Sequence, residues 1–497
     1  MKKPILFTLL VGGLASLALP AVAQSTDAAN PQTPELLVRG PQESGAALGS
    51  EALGSMAVPV APTPPLPPGP LTALGKQLRE SGVSPGLTLI NANFRNPSTG
   101  ISRGKSANYG ELMFSVGLDL EKIAGLSSTE LNITQVVHRP SSNTDQYLFQ
   151  TGSAFTPFPV LNKATDLANF TVSHRTMDDR LKLEFGRMNL TREFMVGNMC
   201  SGCILSAQAT VLNQPGISKS VWGATARYAL DPYRTIGLGV LEDNPDKWQK
   251  TSGWNWGHGS SIGTIAVLNY TQRRGFEDTP LPYKLETGLF HSTSSYSDAL
   301  YNTDGSSQAE NSAGTPLQHN GRSGGYVQGR KVYWRGGSPG VPENLAAYGG
   351  VVLSPGAGEK YPLEAYVGTE WSGFAPSNPL AMIGSTLRFI RLSEQRALFE
   401  QQTRKGYTTA MNMMTGGAVP VVDERVPRNM FLLDVHGRVG LMPGVFLEGS
   451  VQYLKNPNAL IPATTERIRN GFMTSLMLVV DFGVVSGLSR MPGDKIF

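Results

Sequence analysis

Charged side chains of both signs recur at every second position in several short segments of this sequence. One segment carries Glu364 and Glu370 in this way, and another carries Asp434 and Arg438. Cations and carboxylates that face each other can donate hydrogen bonds to hydroxyl groups and accept bonds from them, while an aromatic ring can lie against an apolar face. The pattern therefore predicts a polar inner face lined by Lys182, Glu184, Arg227, Glu364, Glu370, Asp434, Arg438 and Glu448, with Tyr366 and Phe446 as aromatic candidates. For each of them the alternative is a solvated side chain without a selective role.

The sequence gives little support for a catalytic or a metal-binding motif. The six histidines show neither an HExxH motif nor the spacing of paired metal ligands. Residues 102–105 match S-x-x-K, but two fixed letters occur often by chance. Residues 356–360 contain two glycines and a lysine, but they lack the Gly-Lys-Ser/Thr end of a phosphate-binding loop. We therefore expect no cofactor, no metal site and no enzymatic activity.

The only two cysteines, Cys200 and Cys203, are spaced as C-x-x-C. In an oxidising compartment this spacing favours a small disulfide that tightens a loop. The alternative is a thiol-redox site, which would require the βαβ context of a thioredoxin-like fold. The flanking sequence does not show that context, so we favour the disulfide.

The first 23 residues have the pattern of an export signal. Lys2 and Lys3 precede an apolar stretch from Ile5 to Leu19, and a small-residue cleavage site follows at positions 21–23. A membrane anchor is the alternative, but the apolar run is short. Removal of the two lysines with the signal would lower the net charge from +4 to about +2, which does not suggest nucleic-acid binding.

Residues 24–85 differ in composition from the rest of the chain. They are rich in Ala, Pro, Gly and Ser, and prolines crowd the stretch from Pro59 to Pro70. This composition predicts a disordered, proline-rich periplasmic tail or linker with polyproline character. A partner-binding ligand is a less favoured alternative. The remaining domain would be residues 86–497.

Residues 86–497 alternate between apolar and polar side chains in short segments that end in Gly, Pro, Asn and Asp clusters. One parity of residues 363–371 is apolar and ends in Trp371, and one parity of residues 472–482 starts and ends in Phe. Aromatic side chains at the ends of an apolar row are typical of transmembrane strands. No run of about 18 apolar residues follows the signal. We therefore predict an all-β fold, a transmembrane antiparallel β-barrel of about 16 strands, with 18 possible. The alternative is a soluble β-sandwich or β-propeller.

The sequence predicts one hairpin in detail. Residues 170–175 lead into a turn at Met177–Arg180, and the chain returns through residues 181–186. Short turns of this kind lie on the periplasmic side of such barrels. Residues 262–270 alternate poorly, and the polar residues 292–323 predict either a long extracellular loop or a partner-binding surface.

Several ordered segments resemble the carbohydrate-selective porins of Gram-negative outer membranes, the OprB family. They are DLEKIAGL at 119–126, RLKLEFGRMNLTREF at 180–194, WGATARYALDPYRTIGLGVLEDNP at 222–245, KLETGLF at 284–290, GYVQGRKVYWR at 325–335 and VFLEGSVQYLKNPN at 445–458. Their order along the chain carries the resemblance more than any one segment does.

The resemblance implies an outer-membrane barrel that passes monosaccharides such as glucose passively into the periplasm. It adds Arg187 to the candidate residues through its Gly186-Arg187 pair, although a straight strand would point Arg187 outward. The implied partners are small sugars, outer-membrane lipid and lipopolysaccharide, and the barrel assembly machinery. A monomer and a trimer remain open, as do a general or surface-interaction barrel and a barrel enzyme.

Overall fold

The computed structural model describes residues 69–141, 164–189, 194, 199–200, 219–244, 253–257, 259–276, 278–336, 343–356, 358–378, 380–457 and 468–488. These residues form a closed barrel of 16 antiparallel strands, in which each strand pairs with its neighbours in sequence and the first strand pairs with the last. Closure leaves no free sheet edge, so every strand satisfies its backbone groups within the barrel. The predicted fold class and the count of about 16 strands are confirmed.

The strands differ mainly in length. Most contain 8 to 15 residues, whereas β9 and β10 contain 20 each. The bounds are β1 Val83–Asn96, β2 Lys105–Asp119, β3 Thr129–Pro140, β4 Ala164–Thr176, β5 Leu181–Met188, β6 Val221–Asp231, β7 Arg234–Asp243, β8 Gly263–Arg274, β9 Tyr283–Asn302, β10 Pro316–Arg335, β11 Asn344–Leu353, β12 Leu363–Ser372, β13 Met382–Arg391, β14 Asn429–Met442, β15 Val445–Lys455 and β16 Gly471–Asp481.

Side chains alternate between the two faces of the barrel wall, as the period of a strand requires. In β14 the apolar side chains of Leu433, Val435 and Val439 are exposed on the outside, while Asp434 and Arg438 are buried inside. Aromatic rings lie at the ends of the outer rows, for example Tyr453 beside Phe472, with ring centres 5.1 Å apart. The wall thus has an apolar exterior and a polar interior, the inverse of a soluble domain.

The N-terminal end of the barrel begins earlier than the sequence predicted. Strand β1 starts at Val83, so the expected boundary at residue 86 falls inside it, and helix α1 (Thr72–Glu80) precedes it. A backbone N–H of Leu71 donates to the carbonyl of Ser486 (2.7 Å), and Arg79 donates to the carbonyl of Leu488 (2.8 Å). The residues flanking the barrel therefore pair with each other. The expected signal at 1–23 and most of the tail at 24–85 lie outside the described residues.

Short and long connections alternate along the chain. The predicted hairpin is present as β4 and β5 joined by Met177–Arg180, and the poorly alternating residues 262–270 belong largely to β8. Most of residues 292–323 extend β9 and β10 rather than forming a loop. Helix α2 (Leu120–Ala124) lies in one connection, helix α3 (Glu394–Met414) in the connection from β13 to β14, and helix α4 (Phe482–Ser486) follows β16.

No helix in the described part of the chain is long and apolar enough to cross a membrane.

Candidate functional site

The connection between β5 and β6 reaches the interior of the barrel. Between Asn189 and Lys219 the described residues are Phe194, Met199 and Cys200, and all three are fully buried. The Phe194 ring packs against Gly239 of β7, where a Cβ would be only 2.4 Å from the ring. The hydroxyl of Tyr326 donates to the carbonyl of Phe194 (2.7 Å). We call Phe194, Met199 and Cys200 the inward segment; these residues lie inside the barrel.

Met199 and Cys200 bring the inward segment to the opposite wall. The backbone N–H of Met199 donates to the Tyr366 hydroxyl (3.1 Å), and Arg330 donates to the Met199 carbonyl (3.2 Å). The sulfur of Cys200 lies 3.4 Å from Nε2 of His436. The segment is therefore held by side chains from β10, β12 and β14.

The wall that receives the inward segment carries a row of charge pairs. Arg330 of β10 is paired with Glu370 of β12, and Glu370 also lies 3.6 Å from His436. Arg388 donates to Glu364 at 2.6 Å. A further pair joins neighbouring strands β14 and β15, Arg438 with Glu448. Cations and carboxylates alternate around this part of the lumen, so no single sign dominates.

Tyrosine rings stand among these charges. The guanidinium of Arg388 lies 4.9 Å from the centre of the Tyr366 ring, and that of Arg330 lies 5.6 Å from the centre of the Tyr348 ring. The two tyrosine rings are 6.5 Å apart. We call Arg330, Tyr348, Tyr366, Glu370 and Arg388 the receiving wall. It offers ring faces and ionic hydrogen-bonding groups side by side.

The opposite wall has its own mixed charges. Lys182 and Glu184 of β5 are 3.7 Å apart. The Arg227 guanidinium lies 5.4 Å from the centre of the Phe194 ring. Lys284 and Glu286 of β9 are 3.6 Å apart, but they lie next to the receiving wall, because Lys284 pairs in register with Arg330. Charge pairs therefore occur on both walls.

Arg187 is fully buried, although it lies on the outward parity of β5. It pairs in register with Trp222, and its guanidinium lies 5.8 Å from the centre of the Trp222 ring, which stacks on the exposed Phe185. Gly186 has a φ of +143°, and its neighbours Arg187 and Met188 are both fully buried, so the alternation breaks at this glycine. A Cβ at Gly186 would lie 2.1 Å from the carbonyl oxygen of Phe170, which leaves glycine as the residue that fits. Arg187 reaches the carbonyl of Ser220 (2.6 Å) and lies 4.0 Å from Glu242.

Comparison with known families shows which family this chain belongs to. The profile of the carbohydrate-selective porin family, OprB, matches residues 103–482, which is most of the chain. The chain belongs to the OprB family. The resemblance seen in the sequence is thereby confirmed, and family and barrel together place this OprB porin in the Gram-negative outer membrane as a channel rather than an enzyme. No curated protein matches the sequence.

Solved structures resemble this OprB porin in fold. The high-pH structure of Pseudomonas putida OprB has a TM-score of 0.68 at 16% identity, covering 82% of this chain and 96% of that one. The low-pH structure of the same protein has a TM-score of 0.49 at 11% identity, with 82% and 95% covered. The outer-membrane channel DcaP of Acinetobacter baumannii has a TM-score of 0.45 at 8% identity, with 80% and 97% covered.

The candidate residues of this OprB porin divide into two groups. The structure brings Glu364, Tyr366, Glu370 and Asp434 together on or beside the receiving wall, with Arg438 and Glu448 as a further pair nearby. It places Lys182, Glu184 and Arg227 across the lumen, and it buries Arg187 near the end of β5, beside Trp222 of the outer face. Phe446 also faces inward and belongs to an apolar cluster that lines β1, β2, β15 and β16.

Sequence reasoning missed several inner-face residues of this OprB porin. Arg330 and Arg388 are buried partners of predicted carboxylates, and Tyr348 and Lys284 are also inside. Alternation of polar and apolar residues in β9, β10, β11 and β13 could have identified these four residues as inner-face candidates. Their pairing could not be read from alternation alone, because it depends on how neighbouring strands are aligned.

One group of side chains has the composition of a metal site. Ligand atoms of Cys200, Glu370 and His436 lie within 4.8 Å of one another. Cys200 is disulfide-bonded, so it has no thiolate to offer a metal, and Glu370 is already paired with Arg330. The group therefore does not fit a metal. Cys203, the expected disulfide partner, lies outside the described residues.

Proposed function

We propose that this porin conducts small neutral sugars, monosaccharides such as glucose, passively across the outer membrane into the periplasm. The observation that carries the proposal is the approach of the inward segment to the receiving wall. There the interior of the barrel combines Arg330, Glu370 and Arg388 with the rings of Tyr348 and Tyr366. No catalytic step is part of the proposal.

Paired charges suit a neutral solute. Each arginine of the receiving wall has a carboxylate beside it, Glu370 for Arg330 and Glu364 for Arg388. The wall therefore produces strong local fields but little net potential, so it neither attracts nor repels a particular ionic sign over a distance. A sugar hydroxyl both donates and accepts, and can exchange its water partners for these groups at close range.

Weak binding is part of the same design. The arginines and carboxylates already satisfy each other, so a sugar gains little by displacing one partner. Ring faces add a modest apolar contact. Conduction requires that a solute can leave as readily as it arrives. A wall whose charged groups are already paired with each other meets that requirement.

The proposal also covers the parts of the chain that precede the barrel. Residues 1–23 would direct export and be removed, and the rest of the proline-rich region would remain at the periplasmic side. Delivery to the assembly machinery and contact with lipopolysaccharide would follow from that route.

Liposome swelling with sugars of increasing size tests the proposal. Purified full-length protein in liposomes is expected to admit monosaccharides fastest, disaccharides more slowly and trisaccharides slowest. Protein boiled before reconstitution serves as the control. Equal rates for all sizes would point to a general pore, and no swelling with any sugar would rule out a sugar channel.

A further inference from the structure

One buried carboxylate inside the barrel lacks, among the described residues, the arginine partner that its neighbours have. Glu364, Glu370 and Glu448 each pair with an arginine. The ion-pair partner of Asp434 is instead Nδ1 of His436, at 3.8 Å, which is too long for a hydrogen bond. Neither oxygen of Asp434 accepts a hydrogen bond from any residue that the structure describes. Asp434 therefore presents two acceptors to a donor from outside the wall.

Gln452 places a third such acceptor beside the first two. It pairs in register with Asp434 across β14 and β15, and the Cβ atoms of residues that face each other in this way lie about 5 Å apart. The side-chain amide of Gln452 donates to Ser450 (3.0 Å), whereas its oxygen Oε1 accepts no hydrogen bond from a described residue. Asp434 and Gln452 are each only 1% exposed. We call these two residues the acceptor pair.

The hydroxyl groups around the acceptor pair hydrogen-bond one another. The hydroxyls of Ser450 and Ser475 are 2.8 Å apart, and those of Tyr348 and Thr386 are 2.6 Å apart. Ser450 lies close to the Asp434 carboxylate, but it makes no bond of acceptable geometry with either oxygen. Buried acceptors without donors cost free energy, and a solute that brings donors recovers it.

The acceptor pair borders the receiving wall. Thr386 of β13 pairs in register with Asp434, and Arg388 of the receiving wall follows on the same face of β13 and interacts electrostatically with the Asp434 carboxylate. His436, the next inward residue of β14, lies 3.4 Å from the sulfur of Cys200 in the inward segment. A solute at the receiving wall is therefore next to the acceptor pair.

We propose that the acceptor pair is a hydroxyl-recognition site for the sugar. It rests on the proposed function, because the solute it takes is the one that the passage would conduct. Two neighbouring hydroxyls of a sugar ring donate to the two oxygens of Asp434, and a third donates to Oε1 of Gln452. The charges of the receiving wall already satisfy each other, so they offer no such directional demand. The acceptor pair thus selects hydroxyl donors, not size alone.

An ammonium group also carries donors, but the surroundings of Asp434 favour a neutral solute. Arg388 acts electrostatically on the carboxylate, and His436 is its ion-pair partner. A cation that approached Asp434 would be repelled by Arg388, whereas a hydroxyl would not. The chemistry that fits the acceptor pair is therefore a neutral polyhydroxylated ring.

The test measures how glucose blocks the ion current through single channels of the full-length protein in planar bilayers at neutral pH. We expect glucose to bind about tenfold more weakly in Asp434→Asn and about threefold more weakly in Gln452→Met, because charged acceptors hold hydroxyls more strongly than neutral ones. In the natural chain, at least one singly deoxygenated glucose should bind more weakly than glucose. Asp434→Asn should remove that difference.

Glu448→Gln is the matched control, because it removes the same charge from the lumen but leaves the acceptor pair in place. It is expected to alter the ion current while the deoxy sugars keep their order of affinity. The open-channel current of each variant shows that its barrel has folded.

Equal affinity for glucose in the natural chain and in both variants would overturn the proposal, since water alone would then serve the acceptor pair. Tighter block by glucosamine than by glucose, lost in Asp434→Asn, would overturn it in favour of a cation site. Absence of block by glucose would also overturn it. Liposome swelling then separates the two claims: entry of glucose without block leaves sugar conduction standing, and no entry removes both.

Discussion

At the scale of single residues, Glu370 holds a central position on the receiving wall. It is paired with Arg330 and lies 3.6 Å from His436, so one carboxylate balances groups on β10 and β14. We expect Glu370→Gln to leave Arg330 with uncompensated charge and to turn the pore toward anions. Loss of one bond to a charged group should also lower barrel stability by about 1.5–3 kcal/mol.

The reversal potential in a salt gradient measures this change. We expect it to move toward the chloride potential in Glu370→Gln and to stay unchanged in Thr369→Val, which alters the outer face of the same strand. A selectivity that does not move in Glu370→Gln would mean that this pair lies away from the narrow part of the lumen.

Gly186 occupies a position in β5 that excludes a side chain. Its φ is +143°, and a Cβ added there would lie 2.1 Å from the Phe170 carbonyl oxygen, so the site has no room for a side chain. We expect Gly186→Ala to destabilise the barrel by about 1–3 kcal/mol, and to lower the temperature at which unboiled protein loses its compact gel mobility. Gly449→Ala is the control, because there the nearest atoms are 3.8 Å away. Equal behaviour of both variants would contradict the strain assigned to Gly186.

Alternation in the sequence predicted which side chains face inward, because lipid and water impose opposite demands on the two faces of a strand. Glu364, Tyr366 and Asp434 are buried on the parity that alternation assigned to the inner face. The burial of Arg187 on the other parity could not be predicted, because it depends on residues distant in sequence that cover the outer face there.

At the scale of elements, the inward segment docks on the receiving wall. Its contacts with Tyr366 and Arg330 run through the backbone of Met199, next to the disulfide-bonded Cys200. A disulfide between residues so close in sequence would restrict the shape of the segment where it docks. The element thus depends on a covalent constraint as well as on hydrogen bonds.

We expect removal of that constraint to widen the pore. The variant Cys200→Ser with Cys203→Ser should show a larger single-channel conductance and faster uptake of disaccharides relative to monosaccharides. Treatment of the natural chain with dithiothreitol should reproduce the change and should not affect the variant. Identical conductance in all four conditions would show that the disulfide does not shape the passage.

Helix α3 marks the limit of sequence reasoning for elements. Its buried face is polar, with Arg396, Glu400, Arg404 and Thr408 turned inward, and Arg396 bonds Glu400 at 3.1 Å. A search for apolar side chains at helical spacing does not find such a helix, because most of its buried side chains are polar. Strand β1 was placed too late for a related reason, since Pro85 and Gly86 resemble a linker in composition but lie inside the strand.

At the scale of the whole molecule, closure of the barrel brings together residues far apart in sequence. Cys200 meets His436, and Met199 meets Tyr366. The sequence indicated a barrel of about 16 strands through composition, alternation and length. The sequence could not indicate these long-range contacts, because they depend on the stagger between strands and on where one connection enters the lumen.

The central claim is that a charge-balanced passage selects small neutral sugars. The most direct test measures uptake into proteoliposomes of three solutes of similar size that differ in charge, namely glucose, gluconate and glucosamine at neutral pH. We predict that glucose enters fastest, and that Glu370→Gln narrows its advantage over gluconate. Faster uptake of gluconate or glucosamine than of glucose by the natural chain would contradict the claim.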